Sequence, residues 1–216
     1  MLYSHLTKSC FRGKDTDNLI SWSSSLLFVI QYAIWRCHNS HHGDPAKVEI
    51  CMVDTRKFPH GQFVRDMSLL RAYREAPEVD EKMRSFFNCR LKSAYFDNGE
   101  YLSQGVLHHT GRSSVVSLAQ LIQAGLHDLY PQFADPGGMD RWTKRVGSLR
   151  SRWSIEQTTT QRDIQKAVEI ARACFKSFDA CDVALLLSSF KNRKLRVPAT
   201  KGTFLKSSLP GTSNSR

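Results

Sequence analysis

Apolar positions along the chain fall into blocks whose spacing predicts helical and extended segments in turn. No charged residue occurs from Asn18 to Trp35, and Leu26 to Ile30 is continuously apolar. Leu26, Ile30, Ala33, Ile34 and Cys37 mark one helical face, while Phe28, Val29 and Trp35 cover much of the rest; a helix apolar nearly all round is a buried one. The Ser23–Ser25 run offers hydroxyl oxygens to the first free N–H groups, so the helix is expected to start there. A polar loop from His38 to Pro45 ends it. Lys47 to Asp54 is rich in β-formers, with Val48, Ile50 and Met52 on one side, and reads as a strand. Glu100 to Leu107 follows an Asp97-Asn98-Gly99 turn signal and reads as another. Val115, Leu118, Ile122 and Leu126 then keep helical spacing up to Pro131. Leu2 and Tyr3 read as the start of a short strand. Residues 65–96 are mixed and charged, and Pro77 interrupts any continuous helix there.

Further along, Ile164, Val168, Ala171, Phe175 and Phe178 recur at helical spacing, with Arg162, Lys166, Glu169 and Lys176 roughly opposite. Thr160 and Asp163 have the spacing of a capping box in front of this amphipathic helix. Beyond Leu195 the Ser/Gly/Pro/Lys composition predicts disorder over 199–216. A span of the membrane needs ~20 mainly apolar residues, and the uncharged stretch before Trp35 is interrupted by Ser21, Ser23, Ser24, Ser25 and Gln31. No membrane span is expected. Met1 to Cys10 holds His5 and Lys8 and lacks an apolar run, so no secretory signal is expected either. The expected location is intracellular, cytoplasmic or nuclear.

Composition changes the picture mainly through charge. The chain has 216 residues and a formal net charge of +11, with 41% hydrophobic residues and six Cys. That apolar content is enough for a core, and the Cys are too sparse for a disulfide scaffold and form no Cys-x-x-Cys pair. The charge is uneven. Residues 1–138 carry 15 basic and 14 acidic residues, whereas 139–216 carry 16 and 6. The Asp135-Pro136-Gly137-Gly138 breaker separates the two. The expectation is a near-neutral domain over 1–135, a basic helical extension over 136–198, and the tail 199–216.

Candidate chemistry is sparse. Cys37, His38, His41 and His42 have metal-binding side chains, but no second half-site completes a ligand set, so no metal site is assigned and a helix-capping loop is the plainer reading. No Gly-rich loop leads into Lys-Ser/Thr, and nothing marks an activated thiol. In the basic extension, Arg141, Trp142, Lys144, Arg145, Arg150, Arg152 and Trp153 interleave cations with aromatic faces. Such a pattern suits phosphate neutralisation and base stacking. Its plainer reading is a solvated helix whose Trp residues dock on the main domain. Lys191 to Arg196 has the form of a nuclear address.

Three segments in order carry a resemblance: Leu2-Tyr3, then Ile20 to Phe28 (Ile-Ser-Trp-Ser-Ser-Ser-Leu-Leu-Phe) entering a helix, then Gly99-Glu100-Tyr101-Leu102. Val48 to Thr55 and Asp128-Leu129-Tyr130-Pro131 fit as well. Over about residues 2–133 the chain resembles a domain of unknown function common in filamentous fungi, itself remotely similar to ADP-ribosyltransferases. The resemblance implies an α+β fold, a mixed or split antiparallel sheet with flanking helices, followed by the basic helical tail. It implies NAD as substrate and no certain cofactor. Glu100 takes the place of the carboxylate that stabilises positive charge on the ribose as nicotinamide leaves, an electrostatic role. Ser21 and Ser23 take the place of serines that fix the nicotinamide half. Tyr3 and His5 lie where the family places an Arg or His contacting ribose or phosphate; the Arg position itself is Ser4, and on a strand His5 would face the opposite side. The alternative is a noncatalytic interaction module whose segment 139–216 binds nucleic acid or an acidic protein, or a purely protein-binding scaffold.

Overall fold

The structure, a computed structural model, describes residues 1–7, 17–39, 43–93, 97–135 and 142–195. Its elements run in the order α1 (Leu2–Thr7), β1 (Leu19–Ser23), α2 (Leu26–Asn39), β2 (Glu49–Val53), β3 (Val64–Arg65), α3 (Asp66–Tyr73), α4 (Glu81–Lys92) and β4 (Glu100–Gln104). Then follow β5 (Ser113–Ser117), α5 (Leu118–Gln123), α6 (Leu126–Leu129), α7 (Trp142–Trp153), β6 (Gln157–Thr159), α8 (Gln161–Cys174), α9 (Ala180–Ser188) and β7 (Arg193–Leu195). The chain is thus α+β with small sheets. Strands β1, β4 and β3 form an antiparallel sheet in that order, β2 and β5 an antiparallel pair, and β6 and β7 a short parallel pair.

Helix α2 begins where the serine run predicts, with Ser25 Oγ accepting the Phe28 N–H at 3.3 Å. Its buried face, from Leu26 through Ile30 and Ile34 to Cys37, lies in the larger core. That core also takes Ile50 and Val116 from the β2–β5 pair, Leu121, Leu126 and Tyr130, and then Leu149, Trp153, Ile170, Phe175 and Leu187. A smaller core gathers Met67, Leu70, Val79 and Phe87, with Leu2, Tyr3 and Leu6 packed on it.

Several local expectations change. Leu2 and Tyr3 belong to a helix, because Leu2, Tyr3 and Leu6 share a face that packs on the smaller core. Over residues 65–96, where Pro77 is expected to interrupt any continuous helix, α3 and α4 lie on either side of it, and the Asp80 side chain caps α4 by accepting the Met83 N–H. Ile20 and Ser21 are in a strand ahead of α2. Val115 is in β5; helix starts only at Leu118, where Ser117 and Gln120 form a capping box. Gly125, with φ at 104°, then splits the helical stretch in two. The Thr160–Asp163 capping box is present at the start of α8.

The basic C-terminal segment differs most from its expectation. The boundary at 135/136 adjoins residues outside those described, but α7, α8 and α9 close the same core that α2 opens. In α7 and α8 Lys144, Arg152, Arg162 and Arg172 are exposed, while Val146, Leu149, Ala167 and Ile170 turn inward. The expected disorder over 199–216 also lies outside the described residues. No described helix is long and apolar enough to cross a membrane.

One core residue is out of place. Gln31 is fully buried in α2, and neither its amide nitrogen nor its oxygen has a hydrogen-bond partner. Leaving such a group unsatisfied costs about 1–3 kcal/mol. Gln31→Leu, of similar volume, is expected to raise the urea midpoint by about that stability increment. A lower midpoint would mean that the amide makes a bond it would lose.

Candidate functional site

Strand register brings the two expected motifs together. In the β1–β4 pair Ser21 sits opposite Leu102 and Ser23 opposite Glu100. Ser21 and Glu100 are therefore diagonal neighbours on one face, within reach of each other. Ser21 Oγ donates to Glu100 Oε1 at 3.1 Å. The turn before Glu100 is fixed tightly. Asp97 Oδ1 accepts the Gly99 N–H at 3.2 Å, and its other oxygen takes Arg65 at 2.7 Å. Partial burial works against the Asp97 charge, but Arg65 and the Gly99 N–H hold its carboxyl below the usual range. Gly99 has φ at 63°, and a Cβ there would lie 2.2 Å from Ser24 Oγ, so any other residue would be strained and would have to push the Ser24 hydroxyl aside.

Helix geometry decides between Tyr3 and His5. With the segment helical, the strand parity that would turn His5 away does not apply. His5 is buried, and its ring bridges Asp17 Oδ1 at 2.8 Å and Ser21 Oγ at 2.9 Å. Tyr3 is elsewhere: its ring lies edge-on to Phe86 and Phe87 in the smaller core. Ser23 donates to the Asn98 carbonyl at 2.8 Å and accepts the Ser25 N–H, which ties β1 to the 97–99 turn.

Two further residues complete the cluster. Arg90 Nη2 donates to Glu100 Oε2 at 3.0 Å and to Asp66 Oδ2 at 2.6 Å. Asp66 opens α3, where a carboxylate favours the helix N-terminus, and it is almost wholly buried. Burial pushes the Asp66 carboxyl up; Arg90 works against this and the Glu100 charge adds to it. Burial disfavours the Arg90 charge, but Glu100 and Asp66 together push its pKa up. The Glu100 side chain is 24% exposed, so the carboxylate is anchored yet open to solvent.

Sequence reading missed Asp17, Asp66 and Arg90. Arg90 alone left a signal: it lies on the apolar stripe of α4 that carries Met83, Phe86 and Phe87. A charge on such a stripe is paired or it is costly. Arg90→Met would leave Asp66 buried beside Glu100 without its guanidinium. The Asp66 carboxyl then rises further, so the folded state holds its proton where the unfolded state releases it. Relative to wild type, the variant is expected to be weakest near neutrality and to recover as pH falls through the Asp66 titration. Urea midpoints over that range check it; a deficit independent of pH would contradict the pairing.

Cavities flank the cluster without enclosing it. One of about 950 Å³ is lined by Tyr3, Ser4, Leu19, Leu102 and Gln104 among others. Another of about 1000 Å³ is lined by Trp22, Ser23, Phe63, Arg65 and Tyr101 among others. Both are of ligand-binding size. His5, Ser21 and Glu100 line neither.

The basic cluster expected to meet nucleic acid is largely committed to the fold. Trp153 is buried against Tyr130 and Phe133, and Trp142 packs with Phe28, Tyr32 and Trp35. Arg145 donates to the Gln132 and Asp135 carbonyls. Arg150 reaches Asn98 Oδ1 and Ser25 Oγ, bracing the turn that presents Glu100. Lys144 and Arg152 are exposed, and Arg141 lies outside the described residues. A buried Trp153 offers no face to a base. Of the Cys37–His42 segment, His41 and His42 are outside the described residues, and among those described no group of three or more His, Cys, Asp or Glu is placed to hold a metal. Compared with family models, curated proteins and solved structures, the chain matches none.

Proposed function

We propose that the chain is an ADP-ribosyltransferase-like protein that cleaves the nicotinamide–ribose bond of NAD, with Glu100 as the catalytic carboxylate. The observation that supports this reading is the direct hydrogen bond between Ser21 and Glu100, residues 79 positions apart that the resemblance pairs in one site. Cleavage of that bond builds positive charge on the ribose, and a fixed carboxylate lowers the energy of that charge. Glu100 suits the task because Arg90 grips one oxygen while the other faces Ser21. A carboxylate already oriented needs little rearrangement as charge develops. His5, braced by Asp17, fixes the Ser21 hydroxyl in turn. Toward solvent the cluster presents a carboxylate and a hydroxyl, Glu100 and Ser21, with the His5 imidazole and the Arg90 guanidinium behind them, which suits the hydroxyls of a ribosyl group. Tyr3 has no part in it, and Ser23 acts by holding the turn.

The test is incubation of the full chain with NAD labelled in the nicotinamide ring. Free nicotinamide is expected to accumulate in proportion to protein. Release no faster than in buffer would end this reading.

A further inference from the structure

The proposed NAD cleavage draws on the carboxylate end of the cluster, but the other end has a geometry of its own. His5 Nδ1 lies 2.8 Å from Asp17 Oδ1, and that same oxygen accepts the Leu19 N–H at 3.0 Å. The carboxylate is thus pinned to the start of β1, and only 11% of its side chain is exposed. With Nδ1–H given to Asp17, the neutral ring presents the Nε2 lone pair to Ser21 Oγ at 2.9 Å. Ser21 is exposed while its base and the base's anchor are buried or nearly so. This is the order that nucleophilic catalysis needs: a reachable hydroxyl, a base within hydrogen-bond reach, and a group that fixes the base's tautomer.

The strand supplies one more element. The Ser24 N–H donates to Gly99 and the Gly105 N–H to Asn18, which places the even-numbered residues of β1 in the hydrogen-bonded pairs with β4. In such a ladder the alternate residues turn their N–H groups away from the partner strand. Among the described residues β1 is an outer strand of its sheet, so the Ser21 N–H faces away from β4. A nucleophile's own N–H is one of the donors that hold the oxyanion in acyl transfer.

We propose that Asp17, His5 and Ser21 form a nucleophilic relay that hydrolyses acyl esters, an activity separate from NAD cleavage. Ser21 Oγ attacks the ester carbonyl carbon, the C=O electron pair moves to oxygen, and the hydroxyl proton passes to His5 Nε2. The tetrahedral intermediate collapses, the carbon–alkoxide bond breaks, and the proton on Nε2 leaves with the alcohol. Water then repeats the sequence on acyl-Ser21, giving the free acid and restoring the hydroxyl. Ser21 has one proton for two acceptors, Nε2 at 2.9 Å and Glu100 Oε1 at 3.1 Å; in the relay the hydroxyl turns to Nε2 and gives up its bond to Glu100. Glu100, beside Ser21, shares its guanidinium, Arg90, with Asp66, so the face that receives the ester disfavours anions and takes neutral or cationic esters.

The experiment exposes the full chain to a neutral alkyl fluorophosphonate and locates the adduct by mass spectrometry, in wild type, Ser21→Ala and Asp17→Asn. Ser21 is exposed, so its truncation is expected to leave the fold intact, as circular dichroism will report. Wild type is expected to carry the adduct on Ser21, Ser21→Ala to carry none, and Asp17→Asn to react about 100-fold more slowly or worse. Hydrolysis of p-nitrophenyl acetate should follow the same order. No adduct on wild-type Ser21, or an undiminished rate in folded Asp17→Asn, overturns the relay. Nicotinamide release is read separately. Labelling without NAD cleavage keeps the relay and removes the transferase reading, and cleavage without labelling does the reverse.

Discussion

Glu100→Gln is expected to slow nicotinamide release from NAD about 10²–10³-fold, the usual loss when one preorganised electrostatic contact to a transition state is removed. The substitution keeps the side chain's shape, and an amide oxygen can still accept the Ser21 proton. What disappears is the negative charge. Because positive charge on the ribose develops only as the bond breaks, the loss should fall on kcat, with KM for NAD little changed. Arg90 keeps its bond to Asp66 in the variant, so the cluster retains its main internal pair. Steady-state rates of both proteins, each shown to melt cooperatively, give the comparison. Equal rates would remove Glu100 from the chemistry, and a rise in KM alone would make it a binding group.

The second large effect concerns the C-terminal helices. Trp153 is buried where Tyr130 and Phe133 of the first 135 residues meet Phe190 near the end of the described chain, with ring centroids 5.1, 5.8 and 6.5 Å away. Trp153→Ala is expected to cost about 3–5 kcal/mol, the transfer of the ring plus the cavity left behind. Set against a total stability of about 5–15 kcal/mol, that brings the protein close to unfolding. Its indole N–H has no partner in the core, so Trp153→Phe should cost much less than the truncation to Ala. Chemical denaturation of both variants decides this. The same reasoning holds that residues 1–135 alone will not melt cooperatively, since Leu26, Ile30 and Tyr130 would lose Leu149, Ile170 and Phe175 from their core. A sharp transition from that fragment would make the basic segment an appendage after all.

Why the sequence suggested an appendage is a matter of averaging. Charge counted over a segment does not register which helical face it occupies. Cations such as Lys144 and Arg152 are on the outer face of α7, while Val146, Leu149 and Trp153 turn inward. Signals that act locally are legible. The serine run before α2, the Asp97–Gly99 turn and the Thr160–Asp163 box each act within a few residues. Val115 belongs to β5 and not to the helix its spacing suggests, because apolar residues three or four apart also occur when a strand runs straight into a helix.

The candidate site divides in the same way. Ser21 and Glu100 were legible through the resemblance, and strand register makes their meeting intelligible. His5 was in the right region, with a parity that only the helix resolves. Asp17 is joined to His5 across 12 positions, and Arg90 to Glu100 across 10 and to Asp66 across 24. No periodicity carries that information, because it depends on how α1 and α4 pack on the sheet.

Ser21 and Glu100 are proposed to act as one site on NAD. A double-mutant cycle of nicotinamide release, using wild type, Ser21→Ala, Glu100→Gln and the double variant, tests it most directly. Measurable release by wild type is expected, with a double variant hardly slower than Glu100→Gln alone, since Ser21 works through the carboxylate it contacts. Losses that simply multiply, or a wild-type protein that leaves NAD intact, would contradict it.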